Sequence, residues 1–246
     1  MCTLTYLPLN DAQYLLTSNR DESPLRAPAR TPEVRRIGPR SVLFPVDGKA
    51  GGTWLATAND RRTVCLLNGA FGPHPLGGTY RLSRGVMVLE SFAFPDIEAF
   101  VDNYDFGGIE PFTYVDFAQR EHATQIAELR WDGIQMYRAT YDAAKPQIWS
   151  SAQLYKADIV EKRKSWFQTW LTAHPNYQLA DIQRFHQFGG EGDIYNDIRM
   201  NRRGMVQTVS TTAIENLSDS VTMHYQDLLV DKGTKKSLAV GTRIED

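Results

Sequence analysis

The chain is dominated by short β-forming runs, each closed by a turn dipeptide, with helical periodicity confined to a few stretches. The strongest case is Thr124 to Trp131 and Ile134 to Thr140 around Asp132-Gly133, a pair suited to a tight hairpin turn. At the start, Thr3-Leu4-Thr5-Tyr6-Leu7 and Gln13-Tyr14-Leu15-Leu16-Thr17 flank Asn10-Asp11, which predicts another hairpin. Its second run stops at Asn19-Arg20-Asp21-Glu22. Further strands are expected over Thr53–Thr57, Thr63–Leu67, Phe112–Val115, Met205–Ile214 and Val221–Leu228, followed by a polar tail. Between Pro24 and Pro45 five prolines exclude a regular helix or a central strand, and the stretch is too long for a simple connection.

Helical spacing appears in Leu82 to Phe92, through Leu82, Val86 and Leu89, and a short helix is expected over Asp96 to Tyr104. Lys156 to Ala173 is the clearest amphipathic segment, with Ile159, Trp166, Phe167 and Trp170 on one side. Leu179 to Phe188 predicts another. Strands, helices, strands, helices and final strands imply an α+β fold of antiparallel sheets with helices packed outside them. No linker divides the chain, so one domain over residues 1–246 is expected.

Composition narrows the function classes. With 27 Lys plus Arg against 29 Asp plus Glu, the net charge of −2 gives no pull toward nucleic acid or an anionic membrane. No run approaches the roughly 20 apolar residues of a membrane helix, and no signal peptide is visible. Two cysteines, Cys2 and Cys65, form no disulfide framework and suit a reducing compartment, so a cytoplasmic location is expected. His74, His122 and Cys65 lack metal-ligand spacing, so neither a metal nor a cofactor is expected.

Cys2 carries the chemistry. Methionine is removed when the next residue is small, which leaves Cys2 with a free α-amino group. A thiol of reference pKa ~8.5 and an amine of ~7.7–8.0 then share one residue, nucleophile beside base. Hairpin geometry brings Arg20 and Asp21 back toward Cys2, the Arg to favour thiolate and the Asp to hold the amine. Asn68, after the apolar run containing Cys65, is a candidate oxyanion donor. Each also has a structural reading: a buried Cys, a polar turn with an internal ion pair, a common turn dipeptide. Trp54 is a candidate pocket wall or a core residue. Arg84 is a candidate for an acidic ligand or a surface residue at a helix start.

These residues in this order resemble the NRDE family, named for Asn19-Arg20-Asp21-Glu22. The resemblance also rests on Met1-Cys2-Thr3, Ala50-Gly51-Gly52-Thr53-Trp54-Leu55-Ala56, Leu67-Asn68 and Ser83-Arg84-Gly85, and more loosely on Ser210-Thr211-Thr212. It implies an N-terminal-nucleophile hydrolase fold, a four-layer αββα sandwich, more distantly similar to conjugated bile-acid hydrolases and penicillin V acylases. Carried over, Cys2 is nucleophile and base, Asp21 the amine-orienting carboxylate, Arg20 a supporting cation and Asn68 an oxyanion donor. Asn19, Trp54 and Arg84 are expected to bind a small-molecule substrate. The alternative is a non-catalytic member that handles a hydrophobic ligand such as haem or an acyl lipid. Three departures stand out: Ser18 where those hydrolases have an Arg, Ser150-Ser151 where a second Asn is expected, and Val209 in place of a late Arg. Arg202 or Arg203 are the candidates to replace the missing cation.

Overall fold

A computed structural model of the chain describes residues 3–75, 77–120 and 122–241, so Cys2 lies outside the described residues. The first sheet is built from both ends of the sequence. Its hairpin of β1 (Thr3–Pro8) and β2 (Tyr14–Glu22) turns through Asn10, whose side-chain oxygen accepts from the N–H of Ala12 and Gln13.

The second sheet follows in sequence order: β3 (Arg30–Ile37), β4 (Arg40–Val46), β5 (Leu55–Ala58), β6 (Thr63–Asn68), β7 (Phe112–Arg120), β8 (Ala123–Trp131) and β9 (Met136–Tyr141). The chain then returns to the first sheet with β10 (Gln147–Ser150), β11 (Asn201–Arg202), β12 (Val206–Asn216), β13 (Ser220–Asp227) and β14 (Lys232–Ala239). The order there is β10-β1-β2-β12-β13-β14, with β11 paired to β12. Every strand pairing within the sheets is antiparallel.

Alternation along each strand sorts the side chains into three apolar layers. Leu4, Tyr6, Tyr14, Leu16, Leu43, Cys65, Leu67 and Phe117 fill the space between the sheets. Helices α1 (Arg84–Glu90) and α2 (Ile97–Asn103) cover the second sheet, where Val42, Phe44, Val64 and Leu66 meet Met87, Val88 and Phe100. Helices α3 (Ala157–Ala173) and α4 (Leu179–Phe188) cover the first, where Leu7 and Leu15 meet Phe167, Ile182 and Phe185. The result is the expected αββα sandwich. Among the described residues no helix is long and apolar enough to cross a membrane.

Three expectations are corrected, and one strand is added. The proline-rich stretch holds two strands. β3 is an edge strand, and its register slips between Arg30 and Glu33, so Pro32 lies in the bulge and Pro45 opposite it, where ladder bonds are already interrupted. β4 pairs on both sides despite its proline. Within the tail after Leu228, Lys232–Ala239 pairs with β13 as β14, a lysine-rich edge that discourages further strand addition. The four-residue β10 carries little pattern of its own and is held by its pairing with β1. Lastly, Asn19 to Glu22 continues β2 as a strand and is not a terminating turn.

Candidate functional site

The β1–β2 register sets Thr3 opposite Asn19, and the β1–β10 register sets it opposite Ser150. The chain therefore enters the first sheet as an inner strand, with the end of β2 beside it. Because residues alternate faces, Arg20 and Asp21 part company there. Arg20 points between the sheets and Asp21 toward the helices.

Arg20 lines a cleft of about 420 Å³ at the open end of the sandwich, together with Asp47, Trp54, Asn68, Arg84 and Glu110. Its guanidinium pairs with Asp47 and lies 4.3 Å from the centre of the Trp54 ring. Burial lowers the Arg20 pKa, and the Asp47 charge opposes that shift. Asp47 also takes both a 2.9 Å and a 2.8 Å bond from Arg26, and accepts from the Ala50 N–H at 2.8 Å. Burial pushes the Asp47 carboxyl up, but the bonds from Arg26 and Ala50 and the two neighbouring guanidiniums outweigh it and hold the group below the usual range.

Trp54 is both of the things expected of it: buried core and cleft wall. Asn68 closes β6. Its backbone oxygen accepts from Ser151 Oγ at 2.8 Å and from the Gln153 N–H at 3.1 Å, and the residue lines the cleft. Arg84, the first residue of α1, is held by Glu110 at 2.8 Å and donates to the Pro111 carbonyl at 2.8 Å. Burial lowers its pKa, countered by Glu110.

The loops that carry these residues meet through backbone. The Thr53 N–H donates to the Gly85 carbonyl at 2.9 Å, and a Cβ on Gly52 would lie 2.2 Å from the Gly85 carbonyl carbon. Glycine is required there because two main chains touch. The Gly51-Gly52-Thr53-Trp54 and Ser83-Arg84-Gly85 motifs, far apart in sequence, form one wall of the cleft.

Asp21 is buried on the other face. Its carboxylate accepts from Tyr155 Oη at 2.7 Å and from Thr208 Oγ1 at 2.5 Å, and Thr208 Oγ1 in turn accepts from the Met200 N–H at 2.9 Å. Asn19, expected at the substrate, does not reach the cleft. Its amide donates to the His186 and Ile198 carbonyls at 3.0 and 2.9 Å, and its oxygen accepts from Thr211 Oγ1 at 3.0 Å. It ties the first sheet to the helix layer.

Ser18 Oγ donates to the Thr3 carbonyl at 3.0 Å, and Ser151 sits on Asn68. Of the proposed replacement cations, Arg202 donates to the Leu154 carbonyl and lies 5.3 Å from the Tyr155 ring, while Arg203 bonds Tyr195. Neither lines the cleft. Cys65 is fully buried between the sheets, and burial pushes its thiol up to about 12. Sequence reasoning missed Tyr155, Thr208 and Arg163; only Thr208 stands beside a motif, just before Ser210-Thr211-Thr212. Among the described residues, no three His, Cys, Asp or Glu side chains gather as a metal site.

Two facing antiparallel sheets with helix pairs outside, and an inner first strand opening beside a cleft, define an N-terminal-nucleophile hydrolase fold. Within it, the chain belongs to the Transport and Golgi organisation 2 family, whose model matches residues 1–237. Among solved structures, two variants of the conjugated bile acid hydrolase from Clostridium perfringens are similar. One is 10% identical, with a TM-score of 0.59 over 98% of this chain and 97% of that one. The other is 10% identical, with a TM-score of 0.58 over 97% and 92%. The Caenorhabditis elegans N-acylethanolamine-hydrolyzing acid amidase ortholog is 11% identical, with a TM-score of 0.55 over 87% of this chain and 92% of that one. These likenesses show the shared fold. No protein of curated description matches the sequence significantly.

Proposed function

We propose that the protein is an N-terminal-cysteine amidohydrolase that cleaves the carbon–nitrogen bond of a small linear amide once Met1 is removed. The observation that carries this reading is the register of β1. Thr3, the first described residue, pairs with Asn19, so β1 begins beside Arg20, which lines the cleft. The sulfur of Cys2 attacks the carbonyl carbon, and its own α-amine accepts the thiol proton. The Asn68 carboxamide donates to the oxyanion, and the amine passes its proton to the leaving nitrogen as the C–N bond breaks. Water, deprotonated by the same amine, then hydrolyses the thioester. Arg20, fixed by Asp47 and Trp54, supplies positive charge beside the thiol.

A second reading has one observation in its favour: Ser18 stands where the related hydrolases have an Arg and is engaged with the Thr3 carbonyl. On that reading the cleft binds a hydrophobic ligand, haem or an acyl lipid, without turnover. Intact mass shows whether Met1 is lost. Iodoacetamide then alkylates Cys2 well before Cys65, whose thiol is held near 12. Across a panel of linear N-acyl amides, hydrolysis by the wild type and none by Cys2→Ala supports the amidohydrolase. Retention of Met1, or turnover that survives Cys2→Ala, sinks it.

A further inference from the structure

Arg163 is a buried cation that the proposed mechanism leaves unused. It lies on α3 with no exposed surface, and each hydrogen bond it makes among the described residues ends on a neutral oxygen. It donates to the Asn196 carbonyl at 3.1 and 3.0 Å, to the Asp197 carbonyl at 2.6 Å and to the Thr3 hydroxyl. Its guanidinium carbon lies 3.6 Å from the centre of the Tyr155 ring. The hydroxyl of that same tyrosine donates to Asp21 Oδ2 at 2.7 Å. One tyrosine thus carries a buried guanidinium on its ring face and a buried carboxylate at its hydroxyl.

Neither charge is comfortable alone in such a place, since desolvation of an ion costs several kcal/mol unless a counter-charge or dipoles offset it. A cation on the ring face also draws electron density from the phenol and strengthens its O–H as a donor to the carboxylate. We propose that Arg163 is a positioning residue for the Cys2 site, fixing the start of β1 through Thr3 and the Asp21 carboxylate through Tyr155. It supplies from the helix layer the cationic support that Ser18 and Val209 do not provide. The inference rests on the reading of Cys2 as an activated N-terminal thiol.

Among the described residues, the charged groups around this site are Arg163 from α3, Asp21 and Arg20 from β2, Asp47 paired with Arg20, and Arg202 from β11. The facing residues of β12 and α4, Thr208 and His186, are uncharged, and burial keeps the His186 imidazole neutral at ordinary pH. The test is the rate of Cys2 alkylation by iodoacetamide from pH 5 to 9, read by peptide mass on Met1-free protein. A short peptide beginning with cysteine is the reference.

Wild-type Cys2 should react several-fold faster than the peptide at neutral pH. Arg163→Met and Tyr155→Phe should each slow it by about fivefold or more and move the midpoint of the profile upward by about half a pH unit. Arg163→Lys, which keeps the charge, should recover part of the rate. Tyr155→Phe retains the ring and the Arg163 contacts, so it decides the matter if Arg163→Met does not fold. Folded variants that react like the wild type overturn the role of Arg163 alone. A wild-type Cys2 no faster than the peptide overturns the activated thiol itself, and this inference with it.

Discussion

At the scale of single residues, burial decides which titratable groups take part in chemistry. His186 is fully buried, with its ring nitrogens 2.9 Å from Thr5 Oγ1 and 3.1 Å from Asn19 Oδ1. Burial, helped by the charge of Arg163, lowers its pKa from 6.5 to about 3. The unfolded chain therefore binds a proton between those values that the folded chain refuses, so stability falls as the pH drops from 6.5 toward 3. The loss is on the order of 4 kcal/mol by that limit. Urea unfolding at stepped pH should show a flatter acid limb for His186→Gln than for the wild type. Parallel limbs would mean that the imidazole is not held neutral.

At the same scale, the motif residues divide between the two faces of the first sheet. Arg20, Trp54, Asn68 and Arg84 are legible in motifs, and the structure gathers all four at one cleft. Asn19 and Asp21, from the same tetrapeptide as Arg20, both face the helix layer. The tetrapeptide looks like a turn because its residues are polar. Its first three residues continue the strand with partners supplied from farther along the chain: the His186 and Ile198 carbonyls for Asn19, Asp47 for Arg20, Tyr155 and Thr208 for Asp21. A local pattern carries no trace of partners that distant.

Among the elements, the same contrast holds. The α3 segment and the Asp132-Gly133 hairpin announce themselves because their signals are local. β3, β10 and β14 do not, because each is a strand by virtue of its neighbour. The attachment of α1 to the loop before β5 is of this second kind, and it rests on two glycines. A methyl group on Gly52 would come within 2.4 Å of the Val86 nitrogen and 2.2 Å of the Gly85 carbonyl carbon. Gly52→Ala should therefore cost about 2–3 kcal/mol and lower the melting temperature by roughly 5–10 °C. It should also shift Arg84 and reshape the cleft. A thermal scan checks the first part. An unchanged melting temperature would show that the α1 N-terminus moves freely away from this loop.

For the molecule as a whole, the long-range pairing of the first sheet dominates. β2 is held on one side by β1 and on the other by β12, with Asn19 opposite Thr211 and Asp21 opposite Thr208. Ending the chain at residue 205 leaves β2 as a long bare edge and removes a bond to Asp21. Such a truncated protein should aggregate on size-exclusion chromatography. A monodisperse truncated chain would show that the β2–β12 seam is dispensable. Folding that waits on such distant partners is slow by nature.

That seam and its counterpart on β1 also set a schedule. Thr3 finds its second partner, Ser150, only after most of the protein has been made. At ordinary synthesis rates, the front of the chain waits beside the ribosome for roughly 10–30 s before β1 can be closed in on both sides. An aminopeptidase that trims Met1 thus meets an open strand and not a folded sandwich. The architecture that later pairs Thr3 on both sides leaves the front of the chain open to processing enzymes first.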